Sequence, residues 1–313
     1  MATRCERCRL CGSPQARAFE RGGWHYLRCA SCGAITKALS AEQYASLDPQ
    51  YDPGPPAVLE EGVLLREYLG VAHQRRLLET LHVSAPTPRF LDIGCGAGGS
   101  LLAARELGWN AEGVEPSHSH STIARQLGFQ VHEGFFEPAA FSGRSFDVVL
   151  MSHVVEHLLE PKSFLEGVVS VLAPSGVLVL VTPNAGSVVS RLSGRWWPML
   201  KTVDHVSLLA PRSVKELGLE RFGTVRVGQA EEPWEATASL ASAARDALRE
   251  RVLGRGSTPE GAAAPGGARS GAVRWDDRYE ALRKVFALTS FPVFALGALT
   301  GRRACLVITL TKE

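Results

Sequence analysis

The run Phe90-Leu91-Asp92-Ile93-Gly94-Cys95-Gly96-Ala97-Gly98-Gly99 constrains this 313-residue chain more than any other segment. A short apolar strand enters a glycine-rich turn, and a helical pattern follows through Leu107. Glycine at such a turn lets the backbone reverse tightly and lets a ligand approach the main chain closely. Gly94, Gly96 and Gly99 satisfy the spacing G-x-G-x-x-G, a weak signal that gains weight from the strand before it and the helix after it.

The alternation continues along the chain. Further strands are predicted at Asn110–Glu115, Phe129–His132, Phe146–Met151, Val177–Val181, Thr224–Val227 and Ala304–Leu310. Helices are predicted around Thr122–Leu127, over Pro161–Leu172 and near Pro211–Phe222, and Pro174-Ser175-Gly176 is predicted to turn into the fifth strand. These strands are continuous Val/Leu runs, the pattern expected when helices cover both faces of a mostly parallel sheet. The fold class is therefore α/β and Rossmann-like. Residues 51–85 read as a helical linker, and 86–313 as one domain with an insertion over about 231–302. Within the insertion, Trp234–Leu253 reads as an amphipathic helix and Gly254–Gly271 as a flexible loop. Trp275–Leu299 reads as helical around Pro292, offering at most peripheral membrane contact through 275–299.

Residues 1–50 carry a different signal. Cys8-x2-Cys11-Gly12 and Cys29-x2-Cys32-Gly33 are two knuckles separated by 17 residues. Four thiolates at this spacing predict a tetrahedral structural zinc site, hence a zinc ribbon. Cys5 is a surplus ligand, since Cys5-x2-Cys8 is also a valid pair; the glycine after Cys11 favours Cys8 with Cys11. Lys plus Arg exceed Asp plus Glu by only 34 to 32, a net charge of +2, which speaks against nucleic acid as the ribbon's partner. Met1–Arg7 has no apolar core of a secretory signal, and the longest apolar run, Val285–Leu299, is too short to span a bilayer, so a cytoplasmic protein is expected.

Asp92 discriminates between cofactors for the glycine turn. A dinucleotide places its pyrophosphate there, where a carboxylate would repel it. S-adenosylmethionine instead carries an ammonium and a sulfonium group, which a carboxylate favours. Glu115, at the end of the next strand, can accept hydrogen bonds from ribose hydroxyls.

Phe90–Gly99, Glu115 and Ser145-Phe146-Asp147-Val148-Val149-Leu150-Met151-Ser152-His153-Val154-Val155-Glu156-His157 resemble the class I S-adenosylmethionine-dependent methyltransferases. The resemblance covers about residues 86–230 and the last strand. It implies a seven-stranded sheet of order 3-2-1-4-5-7-6 with the last strand antiparallel. It also implies that Asp92, Gly94, Gly96 and Gly98 hold the methionine part of the cofactor and that Glu115 holds the ribose. Phe135 and Phe136 fall where the family often has an Asp near adenine, so Phe136 offers apolar contact there. Met151 and His153 fall at the cofactor edge of the fourth strand, and Cys95 reads as a small packing residue.

With its ribbon, the chain is also similar to bacterial deoxysugar C-methyltransferases. His157 and the pair Asp204-His205 fall where that group carries a His and a Glu-His pair, which makes them the candidate catalytic residues, with His153 and Glu156 nearby. The aromatic of that group's following segment is missing in Val206-Ser207-Leu208-Leu209-Ala210. The acceptor implied is a small molecule, with a sugar or glycolipid precursor as the suggested class. His118 and His120 read as solvated turn residues. Arg195-Trp196-Trp197-Pro198-Met199 reads either as an aromatic wall for the acceptor or as a packed loop. The rival functions are an NAD-type oxidoreductase on a similar sheet and a cofactor-binding module without catalysis; Asp92 opposes the first and the intact cofactor motif the second.

Overall fold

The structure, a computed structural model, describes residues 7–14, 17–47, 70–200, 202–230, 243–244, 246–248 and 295–313. The chain begins with β1 (Arg17–Arg21), β2 (Trp24–Arg28), β3 (Ile35–Lys37) and α1 (Ala41–Ala45). α1 is started by a capping box: Ser40 Oγ accepts from the Gln43 amide at 3.1 Å and Gln43 Oε1 accepts from the Ser40 amide at 2.8 Å. α2 (Val71–Glu79) leads into β4 (Arg89–Ile93), α3 (Gly99–Glu106), β5 (Asn110–Glu115), α4 (His118–Gln126) and β6 (Gln130–Glu133). Then come β7 (Phe146–Ser152), α5 (Pro161–Ser170), β8 (Leu172–Pro183), α6 (Val188–Ser193), β9 (Ser207–Leu208), β10 (Gly223–Ala230) and β11 (Cys305–Lys312).

Seven strands form one sheet in the order β10-β11-β8-β7-β4-β5-β6. β11 runs antiparallel to both β8 and β10, whereas β4, β5, β6, β7 and β8 pair in parallel. This is the order 3-2-1-4-5-7-6 that the sequence implied. The Val/Leu runs are explained by two cores. Val149, Met151, Leu178 and Leu180 enter one. Val148, Leu150, Val177 and Val179, alternating with them, enter the other. These runs of β7 and β8 are thus buried on both faces of the sheet.

Several elements differ from their sequence-based bounds. α4 starts at His118 because the Ser117 hydroxyl caps it, accepting from the His120 amide at 3.3 Å; His118 and His120 are therefore helical, not turn residues. β8 begins at Leu172, ahead of the predicted Val177, because Leu172 already pairs with Phe146, and the ladder then shifts register before Val148 pairs Val177. The predicted helix at Pro211–Phe222 is two 3₁₀ segments, Pro211–Leu217 and Leu219–Phe222, separated by Gly218 at φ 69°. Trp197 is buried with Tyr26, Val189 and Leu200, so it packs a core beside the first three strands, as the packed-loop reading expects. Most of Trp234–Leu253, all of Gly254–Gly271 and nearly all of 275–299 lie outside the described residues.

A second sheet, β1-β2-β3-β9, joins the cysteine-bearing segment to the methyltransferase-like part. β3 pairs antiparallel with β9, Ile35 opposite Leu208 and Thr36 opposite Ser207. Arg28 reinforces the junction by donating to the Ala185 carbonyl at 3.1 Å, and Tyr26 by donating to the Leu200 carbonyl at 2.6 Å.

Candidate functional site

Asp92 and Glu115 reach the carboxyl ends of neighbouring parallel strands, β4 and β5, where open α/β sheets bind ligands. Gly94, Gly96 and Gly98 turn the chain between β4 and α3 with φ of 79°, 52° and 94°. A Cβ on Gly94 would lie 2.6 Å from Val154 Cγ2, whereas a Cβ on Gly96 would meet nothing within 4 Å. Gly96 therefore borders open space, and the turn walls a cavity of about 220 Å³ lined also by Gln74, Asp92, Ser100 and Ser152. Cys95 is buried in the turn.

The two acids are solvated differently by the protein. Glu115 is satisfied by main-chain donors: Oε2 accepts from the Gly96 amide at 2.8 Å and Oε1 from the Ser117 amide at 2.9 Å. Asp92 accepts from the Ser100 hydroxyl through Oδ2, but Oδ1 is buried without a hydrogen-bond partner among the described residues. Burial pushes the Asp92 carboxyl up to about 7, helped by the Glu115 charge and opposed by the Ser100 hydrogen bond. An acid so placed favours a cationic group against Oδ1, so the residues present fit the ammonium end of S-adenosylmethionine.

Met151 is fully buried in the core beneath this edge. Phe136 stacks on Phe141 at 5.5 Å and lies 5.7 Å from Phe164, away from the cavity lining, whereas Phe135 is 66% exposed. The structure thus brings Asp92, Gly94 and Gly96 onto one cavity and leaves Phe136 in the core.

A second polar cluster follows β7. His153, at φ 57°, has Nδ1 3.1 Å from Glu156 Oε1, and Thr182 donates to Glu156 Oε2 at 3.0 Å. His157 Nδ1 stands 3.0 Å from Asp204 Oδ2. The rings of His157 and His205 meet edge to face at 4.8 Å, and His205 Nδ1 lies 2.9 Å from the Met199 carbonyl. Burial pushes His205 down to about 4, with the neighbouring His157 adding to the effect. Burial alone would do the same to His157, but the Asp204 carboxylate and the Glu156 charge raise it instead. Asp204, which burial would raise, is held at about 2 by His157 and His205. The predicted candidates His157, Asp204 and His205 are therefore in contact, although 46 residues separate the first two.

Three residues that hold this cluster escaped sequence reasoning. Thr182 bonds Glu156. Tyr44 donates to the His157 carbonyl at 3.0 Å. Lys37, fully buried, donates to the carbonyls of Thr202, at 3.3 Å, and Val203. A lysine inside the apolar run Ala34–Leu39 was the signal available for the last.

The four cysteines converge. The Cys8 and Cys32 sulfurs are 3.7 Å apart, and those of Cys11 and Cys29 are 3.6 Å apart. Sulfurs at a zinc–sulfur distance of about 2.3 Å occupy tetrahedron corners about 3.8 Å apart, so this cage fits zinc. The two knuckles are built alike: the Gly12 amide donates to the Cys8 carbonyl at 2.8 Å and the Gly33 amide to the Cys29 carbonyl at 3.0 Å. Both glycines have positive φ. Cys5 lies outside the described residues.

No helix among the described residues is long and apolar enough to cross a membrane. Residues 65–224, just over half of the chain, match the model of a family described as a methyltransferase domain. Among curated proteins, the ubiquinone biosynthesis O-methyltransferase of Parvibaculum lavamentivorans is 33% identical over 102 residues, 31% of this chain and 40% of that protein. The corresponding enzyme of Bartonella tribocorum is 27% identical over 140 residues, 41% of this chain and 56% of that protein. The matched region thus spans about half the length of these relatives. Among solved structures, a SAM-dependent methyltransferase from Archaeoglobus fulgidus aligns at a TM-score of 0.48 and 20% identity, covering 79% of this chain and 94% of that one. A Haemonchus contortus N-methyltransferase solved with phosphomonomethylethanolamine and S-adenosylhomocysteine aligns at a TM-score of 0.49 and 14% identity, covering 95% of this chain and 71% of that one. With the family model spanning β4 through the start of β10, the chain belongs to the methyltransferase domain family.

Proposed function

We propose that the protein is an S-adenosylmethionine-dependent methyltransferase acting on a small-molecule acceptor, with an N-terminal structural zinc ribbon. The observation that carries this reading is the buried, unpartnered Oδ1 of Asp92 on the cavity walled by the glycine turn. When bound, the cofactor supplies an electrophilic methyl group on a sulfonium. Asp92 would hold its ammonium group, Gly94, Gly96 and Gly98 would admit it against the main chain, and Glu115 would accept from the ribose. An oxidoreductase using a dinucleotide would have to place a pyrophosphate beside Asp92, which that carboxylate disfavours.

The acceptor would be met by the histidine cluster. His205, kept neutral by burial, can accept a hydrogen bond from an acceptor hydroxyl and so orient it, while Asp204 and His157 fix the segment that carries it. The named relatives are O-methyltransferases, which supports a hydroxyl as the methylated group. The likeness of His157 and Asp204-His205 to deoxysugar methyltransferases supports a sugar or glycolipid precursor as the acceptor class. The test is incubation of the purified protein with methyl-labelled S-adenosylmethionine and a fractionated metabolite extract. Label should pass into a small-molecule fraction. Tight NADH binding without a response to S-adenosylmethionine would overturn the reading.

A further inference from the structure

We propose that Glu156, His157 and His205 form a binding site for a divalent transition-metal ion, separate from the cysteine cage. The ion's purpose rests on the methyltransferase reading; its existence does not. Each of the three side chains offers one ligand atom, and these atoms all lie within 4.8 Å of one another. One imidazole, His205, bonds a carbonyl as metal-ligating histidines usually do, and the other, His157, stands within ion-pair distance of a carboxylate. A metal-ligating histidine presents one ring nitrogen to the ion and gives the other to a carboxylate or a carbonyl, which fixes tautomer and orientation. Here His157 Nδ1 faces the Asp204 carboxylate at 3.0 Å and His205 Nδ1 faces the Met199 carbonyl at 2.9 Å. Each ring would then ligate the ion through Nε2.

The carboxylate has outer-shell support as well. Glu156 is fully buried, and Thr182 Oγ1 at 3.0 Å and His153 Nδ1 at 3.1 Å orient it. A buried carboxylate is kept where it is paired or coordinates an ion. The two segments that meet at the site are tied by main chain, the Val206 amide donating to the Glu156 carbonyl at 2.8 Å. Two imidazole nitrogens and one carboxylate suit Mn, Fe, Co or Zn in the divalent state rather than Mg or Ca, which favour oxygen alone. Four cysteine thiolates close the coordination of the ribbon ion, whereas three protein ligands leave positions open. With an ion bound, His205 Nε2 becomes a ligand in place of meeting the hydroxyl directly; the open positions would take an oxygen of the acceptor, and the ion would make that hydroxyl more acidic, which places a hydroxyl-bearing small molecule at the cluster.

Cobalt(II) added to the full chain brought to one zinc per chain by metal analysis, so that only the ribbon is loaded, gives a direct test. Zinc binds more tightly than cobalt in the same ligand set, so cobalt does not displace it. One equivalent of cobalt should produce ligand-field absorption bands without the charge-transfer bands of cobalt thiolate. His205→Gln should abolish them. Asp204→Asn, which leaves all three ligands in place, should weaken cobalt binding about 10–100-fold. Calorimetry with S-adenosylhomocysteine on the same samples reports folding and the cofactor reading independently. Cofactor product bound with no cobalt bands in the unmodified chain overturns the metal site alone. Cobalt bands that persist in a folded His205→Gln protein overturn it too. Cobalt bound with S-adenosylhomocysteine refused sustains the site and overturns the methyltransferase reading.

Discussion

The glycine turn and the histidine cluster lie at the ends of adjacent parallel strands, β4 and β7, yet they are assembled by different rules. The turn is built from residues close in sequence: Asp92, Ser100 and Glu115 fall within one strand–helix–strand unit, and a protein oxygen is left open for a ligand. The cluster is built from four segments distant in sequence, one of them Thr182 on β8. His153 to His157 follow β7, Asp204 and His205 precede β9, and Lys37 and Tyr44 come from the cysteine-bearing N-terminal part. The carboxylate pair at the glycine turn is thus held locally, while the histidine cluster depends on how the cysteine-bearing segment docks. β3 is the bridge: its Lys37 amide donates to the Val206 carbonyl at 3.0 Å, one residue beyond His205.

The largest expected effect breaks this dependence. Structural zinc supplies about 10–16 kcal/mol of folding free energy to small zinc modules, so Cys29→Ser with Cys32→Ser should unfold the ribbon. If the comparison holds, turnover should fall by about 10²–10⁴-fold through loss of the placed acceptor groups, while S-adenosylhomocysteine still binds within a few-fold of its original affinity. Zinc analysis, turnover and calorimetry on one preparation check it. Turnover that survives zinc loss would show that the histidine cluster does not need the ribbon.

The same division explains what the sequence revealed. The strands, the glycine turn, Asp92 and Glu115 were legible because local order and period determine them, and the cysteine knuckles because spacing determines the cage. The contact of His157 with Asp204 was not legible, because 46 residues intervene and only the fold closes the gap. The surroundings of Phe136 were not legible for a related reason. Neighbouring phenylalanines point to opposite sides, and Phe136 turned to the core aromatics Phe141 and Phe164 while Phe135 stayed exposed. The helix expected at Pro211–Phe222 failed at Gly218, whose left-handed conformation ends the first 3₁₀ segment.

A second effect sharpens the locally held end. A hydrogen bond to a charged group contributes about 1.5–3 kcal/mol, so Asp92→Ala should weaken S-adenosylmethionine binding about 10–100-fold. The effect should also depend on pH. Ligand-free Asp92 is held at about 7, well above its usual range, mainly by burial. It therefore favours the folded chain most in acid, and that contribution is lost as pH rises through about 7. Binding of an ammonium group selects the ionised carboxylate, so affinity should climb as pH rises toward about 7 and level off above it. Asp92→Asn should flatten that climb. Calorimetry across this range reads both, and an unchanged slope in Asp92→Asn would assign the pH dependence elsewhere.

The smallest expected effect tests the bridge without removing zinc. Lys37 stands over the Trp24 ring at 4.7 Å and the Tyr26 ring at 5.5 Å, with its ammonium on the Thr202 and Val203 carbonyls. Lys37→Met keeps the apolar stem but removes the donors that fix the segment before Asp204. A net hydrogen-bond contribution of about 1 kcal/mol corresponds to a roughly fivefold loss of turnover, with zinc content and cofactor affinity unchanged. Burial lowers Lys37 to about 8, opposed by the Asp204 charge, so the fold disfavours its ionised form relative to the unfolded chain. Between about 8 and the ordinary lysine value of 10.5 the unfolded chain holds more protons, and the contribution of Lys37 to stability rises with pH. Denaturant midpoints measured over that window should rise in the unmodified chain relative to Lys37→Met. Equal slopes would remove Lys37 as the link, and so would turnover lost only in step with cofactor affinity.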